Sequence, residues 1–225
     1  MFRNPLRRVI LDIAMLRKFG NSPVVLSGGM PRSGSTLLFN ILRGMLQEKA
    51  DRISSGWVGD FKKLPQGQVF LIKVHRPRPV LRLRSNFYFY TFRDIRTVLV
   101  SAQRSIGVAP TIQLVEKHMA HYNSAKRHAD LMIKYEDLIS SPEATITQLA
   151  DIISISVDPK IIWDKANKFQ PPENSTKYDS DSLLHPRHFT GTESEDWKTS
   201  LDPELSSKIC ERYDWWLKEC GYPCY

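Results

Sequence analysis

The sequence contains few cysteines and no recognisable metal-ligand motif. Its three cysteines, Cys210, Cys220 and Cys224, all lie near the C-terminal end. No set of Cys and His residues has the spacing of a zinc site. A small, odd number of cysteines is typical of proteins that stay in a reducing compartment. The sequence therefore predicts a cytoplasmic protein that holds no metal.

Long apolar runs are also missing. No stretch of about 18 consecutive apolar residues is present, so no transmembrane segment is predicted. Arg3, Arg7 and Arg8 precede an apolar segment at 9–16, but Asp12 interrupts that segment and no small-residue cleavage site follows it. We predict an amphipathic first helix that packs on the domain. Peripheral membrane contact through this basic and apolar segment is the alternative.

The composition is that of a folded protein with one core. The chain has 225 residues, of which 41% are hydrophobic and 25% are charged. This length is sufficient to bury a substantial core. No internal repeat, low-complexity tract or linker divides the sequence, so we predict a single domain over residues 1–225.

A glycine-bearing turn is the most informative segment. Residues 23–26 fit a buried strand, residues 37–45 carry apolar side chains at helical spacing, and Pro31 to Thr36 between them reads Pro-Arg-Ser-Gly-Ser-Thr. Small residues there allow backbone N–H groups to converge at a helix N-terminus, where the helix dipole favours an anion. We therefore predict a phosphate-binding loop.

This loop differs in one chemical respect from the loops that hydrolyse nucleotides. Gly29 and Gly34 fit the G-x-x-x-x-G pattern, but Ser35-Thr36 stands where those loops have Lys followed by Ser or Thr. The usual contact with the β- and γ-phosphates is therefore missing. The loop's own cation is Arg32, whose forked guanidinium suits a terminal oxyanion.

Two further predicted strands end in basic residues. The apolar run 69–75 ends in Lys73 and His75, and the aromatic run 87–92 is followed by Arg93. In open parallel sheets, ligands bind outside the carboxyl ends of the strands. We therefore expect these three side chains to face the same crevice as the phosphate-binding loop.

The segment after Arg93 has the pattern of a capped helix. Asp94 is its predicted N-cap, and Ser101 lies far enough along it for its hydroxyl to reach an anion held by Arg93. Strands near 23–28, 68–74, 86–92 and 130–135 alternate with predicted helices near 5–19, 35–48, 94–105, 110–128, 142–154, 158–169 and 202–220. This alternation predicts an α/β fold, a single P-loop-like domain with a central parallel sheet of four to five strands flanked by helices.

Together these segments resemble the sulfotransferases that use 3′-phosphoadenosine 5′-phosphosulfate (PAPS). The loop is similar to their loop for the 5′-phosphosulfate, and Arg93 with Ser101 is similar to their pair for the 3′-phosphate. Lys73-Val74-His75 resembles their Lys-Thr-His strand end. Residues 134–138 resemble their Tyr-Glu-Asp-Leu element, and 196–198 their Asp-Trp-Lys. The Pro-Arg-Ser-Gly-Ser-Thr form is closer to the bacterial and carbohydrate-directed branches than to the phenol- and steroid-directed ones.

The resemblance implies a role for each matching residue. His75 would be the general base, with a pKa near 6.5 if unperturbed, and Lys73 would support the bridging oxygen. Arg187 and His188 stand where the family has an element that closes over the 3′-phosphate. Leu37 replaces the Trp that stacks on adenine in the cytosolic branch. The remaining donor-binding candidates are Pro31, Arg32, Ser33, Gly34, Ser35, Thr36, Arg93 and Ser101.

The resemblance also implies the reaction and its partners. A sulfuryl group would pass from PAPS to the hydroxyl of a small molecule or glycan, leaving adenosine 3′,5′-bisphosphate (PAP), without a metal. The net charge of +8 suits such a donor. Arg76, Arg78, Arg82 and Arg84 also fit a nucleic-acid surface, but we predict an exposed segment beside the acceptor mouth and no nucleic acid. The sequence predicts no oligomeric state.

Two alternative functions stay open on the sequence. One is a P-loop kinase or nucleotide hydrolase with an unusual loop, and the other is a non-catalytic module that binds a nucleotide or polyanion. Residues 50–67 and 170–200 fit neither a helical nor a strand pattern. We predict that both are functional loops or lids.

Overall fold

A five-stranded parallel sheet forms the centre of the protein, for which a computed structural model describes residues 5–170, 178–186 and 196–224. The strands are β1 (Val24–Gly29), β2 (Ile53–Trp57), β3 (Val69–Val74), β4 (Phe87–Phe92) and β5 (Leu131–Lys134), in the order β2-β3-β1-β4-β5. The predicted α/β class and parallel sheet are confirmed.

Helices cover both faces of this sheet. Those in the described residues are α1 (Pro5–Phe19), α2 (Ser35–Gln47), α3 (Pro79–Arg84), α4 (Ile95–Ile106), α5 (Ile112–Lys126), α6 (Tyr135–Ser140), α7 (Pro142–Ile153), α8 (Pro159–Asn167), α9 (Trp197–Ser200) and α10 (Pro203–Glu219). One core cluster includes Phe19, Tyr90 and Trp216, and the other includes Phe39 and Phe89. Because side chains alternate along a strand, Tyr90 and Phe89 enter opposite layers.

The strand register brings three strand ends to the same level. Gly28 of β1 pairs with Val74 of β3 and with Tyr90 of β4, and Gly29 pairs with Thr91. All six residues of β1 are buried, as expected for a central parallel strand. The turns after β1, β3 and β4 are therefore neighbours at the carboxyl edge.

The first helix packs on the sheet as predicted. The rings of Phe19 and Phe70 lie 4.9 Å apart between their centroids, and both side chains are buried. No helix in the described residues is long and apolar enough to cross a membrane.

The prediction of a loop over residues 50–67 is wrong. This stretch contains the edge strand β2 and a 3-10 helix at Val58–Lys63. The strand was missed because its buried positions are Ser54 and Gly56, which produce no apolar alternation. A Cβ on Gly56 would lie 2.7 Å from Leu64 Cδ2, so the small residue allows the 3-10 helix to pack against the strand.

The arginine-rich segment is not simply exposed. It contains α3, which lies alongside α1. Arg78 Nη2 donates to Asp12 Oδ2 at 2.8 Å, and Arg84 Nη2 donates to the carbonyl oxygens of Gly20 and Ser22 at 2.6 and 2.7 Å. Arg78 and Arg84 therefore connect this segment to the first helix and to the turn that follows it.

The cysteines also differ from expectation. Cys210 and Cys224 form a disulfide with a Cα–Cα distance of 5.9 Å, and Cys220 is a free thiol. The argument for a reducing compartment rested on the number of cysteines, and it does not account for this pair.

Arg96 is the centre of a buried polar cluster beside the sheet. Its side chain is fully buried, and its Nε and Nη2 donate to the Asp94 carboxylate at 3.0 and 2.7 Å. Its Nη1 donates to the Pro223 carbonyl oxygen at 2.7 Å, and its guanidinium lies 3.7 Å from the Trp197 ring centroid. Asp94 also accepts the Arg96 backbone N–H at 2.9 Å, so it caps α4 as predicted.

We expect the substitution Arg96→Met to lower the free energy of unfolding by about 3–5 kcal/mol, because it leaves the Asp94 carboxylate buried without its partner. Urea denaturation followed by circular dichroism measures this change. Arg104→Met on the same helix is the control, since Arg104 is largely exposed and its ion pair is worth at most about 1 kcal/mol. Equal effects of the two substitutions would contradict the assignment.

Candidate active site

The phosphate-binding loop connects β1 to α2 in a conformation that requires small residues. Gly34 has a φ of 78°, and a Cβ on it would lie 2.6 Å from Tyr135 Cδ2. Arg32 also has a positive φ, of 68°, which is uncommon for a residue with a side chain. The first N–H groups of α2 have no partner within the helix, so the loop presents donors toward the carboxyl edge.

Ser33 supports the loop from inside. Its side chain is fully buried, and its Oγ donates to the Met30 carbonyl oxygen at 2.7 Å. It also lies 3.0 Å from the Thr91 carbonyl oxygen. The Ser33 hydroxyl therefore shapes the loop, although the sequence predicted it as a donor-binding group.

Lys73 lies at the end of β3 and points to the loop. Its side chain is buried, and its Nζ donates to Thr36 Oγ1 at the start of α2. Burial, and next the charge of Arg32, lower the pKa of Lys73 to about 7. An anion bound at the loop would favour the charged ammonium and raise this pKa again.

His75 follows β3 and is held in one tautomer. Its Nδ1 lies 2.9 Å from the Gly29 carbonyl oxygen. Because a carbonyl only accepts, Nδ1 carries the proton and Nε2 has the lone pair. The pKa of His75 is lowered to about 4, chiefly by burial; the bond to Gly29 partly opposes this shift, and the charges of Lys73 and His121 contribute to it. The imidazole is therefore neutral at neutral pH.

Arg93 follows β4 and Ser101 lies in α4, and Arg32 of the loop lies near both. Arg32 Nε donates to Ser101 Oγ at 3.0 Å, and burial and the charge of Arg93 lower the Arg32 pKa. The Arg93 guanidinium lies 4.3 Å from the Tyr135 ring centroid. The sequence predicted Arg32 for the 5′ end of the donor, but its side chain contacts the residue predicted for the 3′-phosphate.

The basic side chains form one continuous strip along the carboxyl edge. Burial and then the charge of Arg32 lower the pKa of Lys73, and burial and then the charge of Arg93 lower the pKa of Arg32. Two anionic groups on one ligand can therefore bind at opposite ends of this strip. His75 lies at the Lys73 end of this strip. A base at that position can take a proton from a group that attacks a ligand bound there.

Several site residues were not predicted. Tyr135 lies between Gly34 and Arg93, and the Trp57 ring centroid is 5.3 Å from that of His75. From the sequence, Tyr135 belongs to an element with no predicted role at the site, and Trp57 belongs to a predicted loop. His185 was also missed. Its pKa is lowered mainly by burial and next by the charges of Lys73 and Arg32, so its side chain lies near these two residues.

Two of the predicted donor-binding residues, Arg187 and His188, lie outside the described residues. Pro31 and Ser35 are in the loop, and Ser35 begins α2. Leu37 is half-buried and packs against the core cluster around Phe39, so it offers no aromatic face. Within the described ranges, no three His, Cys, Asp or Glu side chains are grouped so that they could hold a metal ion.

Comparison with known protein families gives one match. The family described as "Sulfotransferase domain" matches residues 108–221, which is just over half of the chain. This matched region begins after the phosphate-binding loop, so the match is independent of the loop motif. None of the curated proteins compared with the sequence matches it.

Solved structures share the fold at low sequence identity. The crystal structure of mouse sulfotransferase SULT7A1 complexed with PAP has a TM-score of 0.64 and 13% identity, over 88% of this chain and 84% of that one. Retinol dehydratase in complex with androsterone and inactive cofactor PAP has a TM-score of 0.58 and 15% identity, over 95% and 85%. Retinol dehydratase with retinol and PAP has a TM-score of 0.57 and 14% identity, over 95% and 86%. With its family match and its fold, the chain belongs to the sulfotransferase family.

Proposed function

We propose that this single-domain chain transfers a sulfuryl group from PAPS to the hydroxyl of a small molecule or glycan, with PAP as the second product. The observation that carries the proposal is the state of His75. Its Nδ1–H is used by Gly29, so Nε2 is a neutral base next to a buried lysine and a phosphate-binding loop. This is the arrangement that abstraction of a hydroxyl proton requires.

The donor fits the strip of basic residues. The loop amides, Thr36 and Lys73 would hold the 5′-phosphosulfate, and Arg93 with Ser101 would hold the 3′-phosphate. Arg32, whose Nε donates to Ser101 Oγ, would lie between the two anionic groups. A glycine cradle and closely spaced cations match a ligand with two separated anionic ends. The related structures of SULT7A1 and retinol dehydratase were determined with PAP, which supports the same donor here.

Each catalytic residue has one task in the proposed reaction. His75 Nε2 takes the hydroxyl proton while the acceptor oxygen bonds to sulfur and the bond from sulfur to the bridging oxygen breaks. Lys73 stabilises the negative charge that remains on the departing 5′-phosphate. As in phosphoryl transfer, positioning and charge stabilisation supply most of the catalysis. No metal is part of this proposal.

The acceptor would enter beside Trp57 and His75. An aromatic ring next to the base gives a flat apolar face on which a sugar or another ring can stack. Retinol dehydratase has been crystallised with androsterone and with retinol, which supports a small-molecule acceptor. The Pro-Arg-Ser-Gly-Ser-Thr loop leads us to propose the bacterial and carbohydrate-directed branch.

The family favours this reaction over the two alternatives from the sequence. A kinase or hydrolase needs the loop lysine and magnesium, whereas the buried lysine here comes from β3 and bonds to Thr36. A non-catalytic module would not need a neutral imidazole held in one tautomer. Calorimetry with magnesium-ATP distinguishes the kinase, since we expect ATP to bind more weakly than PAP.

We predict that PAP binds much more tightly than adenosine 5′-monophosphate (AMP), because Arg93 and Ser101 are placed for a second phosphate. Arg93→Ala should weaken PAP binding by about 2 kcal/mol, the scale of a hydrogen bond between charged groups, and leave AMP binding nearly unchanged. Isothermal titration calorimetry measures both constants. Arg104→Ala, on the exposed side of α4, is the control. Equal affinities of the parent for PAP and AMP would disprove the 3′-phosphate site.

We predict that His75→Ala retains PAP affinity and loses turnover by about 10²-fold or more, the usual contribution of a general base. Turnover is measured as PAP release, after a screen of glycans and small alcohols has found an acceptor. His128→Ala is the matched control, because His128 is exposed and outside the site. If His75→Ala turns over at the rate of the parent, the base lies elsewhere.

The pH profile gives an independent test. His75 acts as a base only when neutral, so kcat/KM should fall as the pH drops through about 4, rather than through the 6.5 that the sequence alone predicts. Lys73 acts only when charged, so kcat/KM for PAPS, which reports the groups of the enzyme without donor, should also fall as the pH rises through about 7. Lys73→Arg should remove the alkaline fall, because arginine stays charged. An acid limb that stays near 6.5 contradicts the structure of the site.

A further inference from the structure

Three residues connect the C-terminal segment to the predicted 3′-phosphate site. Tyr222 is buried, and its Oη donates to Glu136 Oε2 at 2.9 Å. The other carboxylate oxygen of Glu136, Oε1, lies 3.9 Å from Arg93 Nε. This Oε1 is buried and accepts no hydrogen bond. The carboxylate therefore stands between the tyrosine and the arginine, oriented by one and directed at the other.

Tyr222 itself is held from several sides. Its backbone N–H donates to the Leu217 carbonyl oxygen at 2.7 Å, and its ring centroid lies 5.5 Å from that of Trp216. The ammonium of Lys134 lies 4.4 Å from the same ring centroid. Next along the chain, the carbonyl of Pro223 accepts the bond from the buried Arg96. The phenol therefore has little freedom to turn away from Glu136.

The charges around Arg93 indicate what the Glu136 carboxylate does. Arg32 and Arg93 are close enough for the charge of Arg93 to lower the pKa of Arg32, so the two guanidiniums repel each other. A carboxylate near Nε offsets this repulsion and approaches Arg93 from one edge. A guanidinium has five N–H donors in a fixed fork, and a carboxylate near Nε approaches only one edge of that fork.

We propose that Glu136 is a positioning residue for Arg93, and that Tyr222 fixes Glu136 in this role, so that the C-terminal segment contributes to recognition of the donor's 3′-phosphate. This inference rests on the proposed function, since it assigns the 3′-phosphate to Arg93. Burial, and next the charge of Glu136, raise the pKa of Tyr222. The phenol stays protonated and keeps donating its hydrogen to Glu136.

A carboxylate at this position can also oppose donor binding. That role predicts the opposite effect of Glu136→Gln on the affinity for PAP. A carboxylate next to an anion site repels the anion and competes for the arginine. In that case Glu136→Gln would tighten PAP binding. If Glu136 positions Arg93, Glu136→Gln weakens PAP binding.

The test uses Tyr222→Phe, which removes one hydroxyl and keeps the buried ring. We expect the Kd for PAP, measured by calorimetry, to rise by about three- to tenfold, the range for one lost hydrogen bond, while the Kd for AMP stays constant. Tyr213→Phe on α10 is the matched control, because its side chain lies only partly buried beside Arg212. Thermal denaturation of each variant checks that it is folded.

A double-mutant cycle shows whether Tyr222 acts through Arg93. In the Arg93→Ala background, Tyr222→Phe should have no further effect on PAP binding, because the residue that it positions is absent. An unchanged Kd for PAP in Tyr222→Phe overturns the inference. An equal loss for PAP and AMP, or tighter PAP binding by Glu136→Gln, also overturns it.

The results separate this inference from the proposed function. If the parent binds PAP no better than AMP, the assignment of Arg93 to the 3′-phosphate fails, and the inference fails with it. If the parent prefers PAP and Tyr222→Phe keeps that preference in full, the inference alone fails. The preference of PAP over AMP is thus measured first, in the parent.

Discussion

The crowding of positive charge at the carboxyl edge of the sheet is the constraint on which the site depends. Burial and the nearby charge of Arg32 lower the pKa of Lys73. Burial and the nearby charge of Arg93 lower the pKa of Arg32. Burying several cations close together is costly. An anionic ligand removes much of this cost when it binds. The fold therefore shields the positive charges of these side chains from water, and a polyanionic donor stabilises them when it binds.

The scaffold meets this constraint with rigid supports. The register of β1 with β3 and β4 brings the loop, Lys73 and Arg93 to one level, and Ser33 bonds the loop to its neighbours from inside. On the far side of Asp94, the buried Arg96 connects the start of α4 to Pro223. Groups that are positioned before the ligand binds need little reorganisation during the reaction, which is how such sites accelerate transfer.

Much of this arrangement could be predicted from the sequence, because it is local. The loop, the strand ends carrying Lys73 and His75, and the cap at Asp94 all follow from short patterns of residue type and spacing. The failures involve contacts between distant segments. Strand β2 has small buried residues and no apolar alternation, and Glu136 meets Tyr222 only after the C-terminal segment has folded back. The pKa of His75 depends on burial, which no local pattern reports.

A crystal structure of the protein in complex with PAP tests the central claim most directly, because it reports which end of the nucleotide each basic residue holds. Our account predicts the 5′-phosphate at the loop, within hydrogen-bond distance of Lys73 Nζ, and the 3′-phosphate between Arg93 and Ser101. It also predicts that the Nε2 of His75 faces the open side of the 5′-phosphate. A nucleotide bound in the reverse direction, or away from the carboxyl edge of the sheet, would contradict the account.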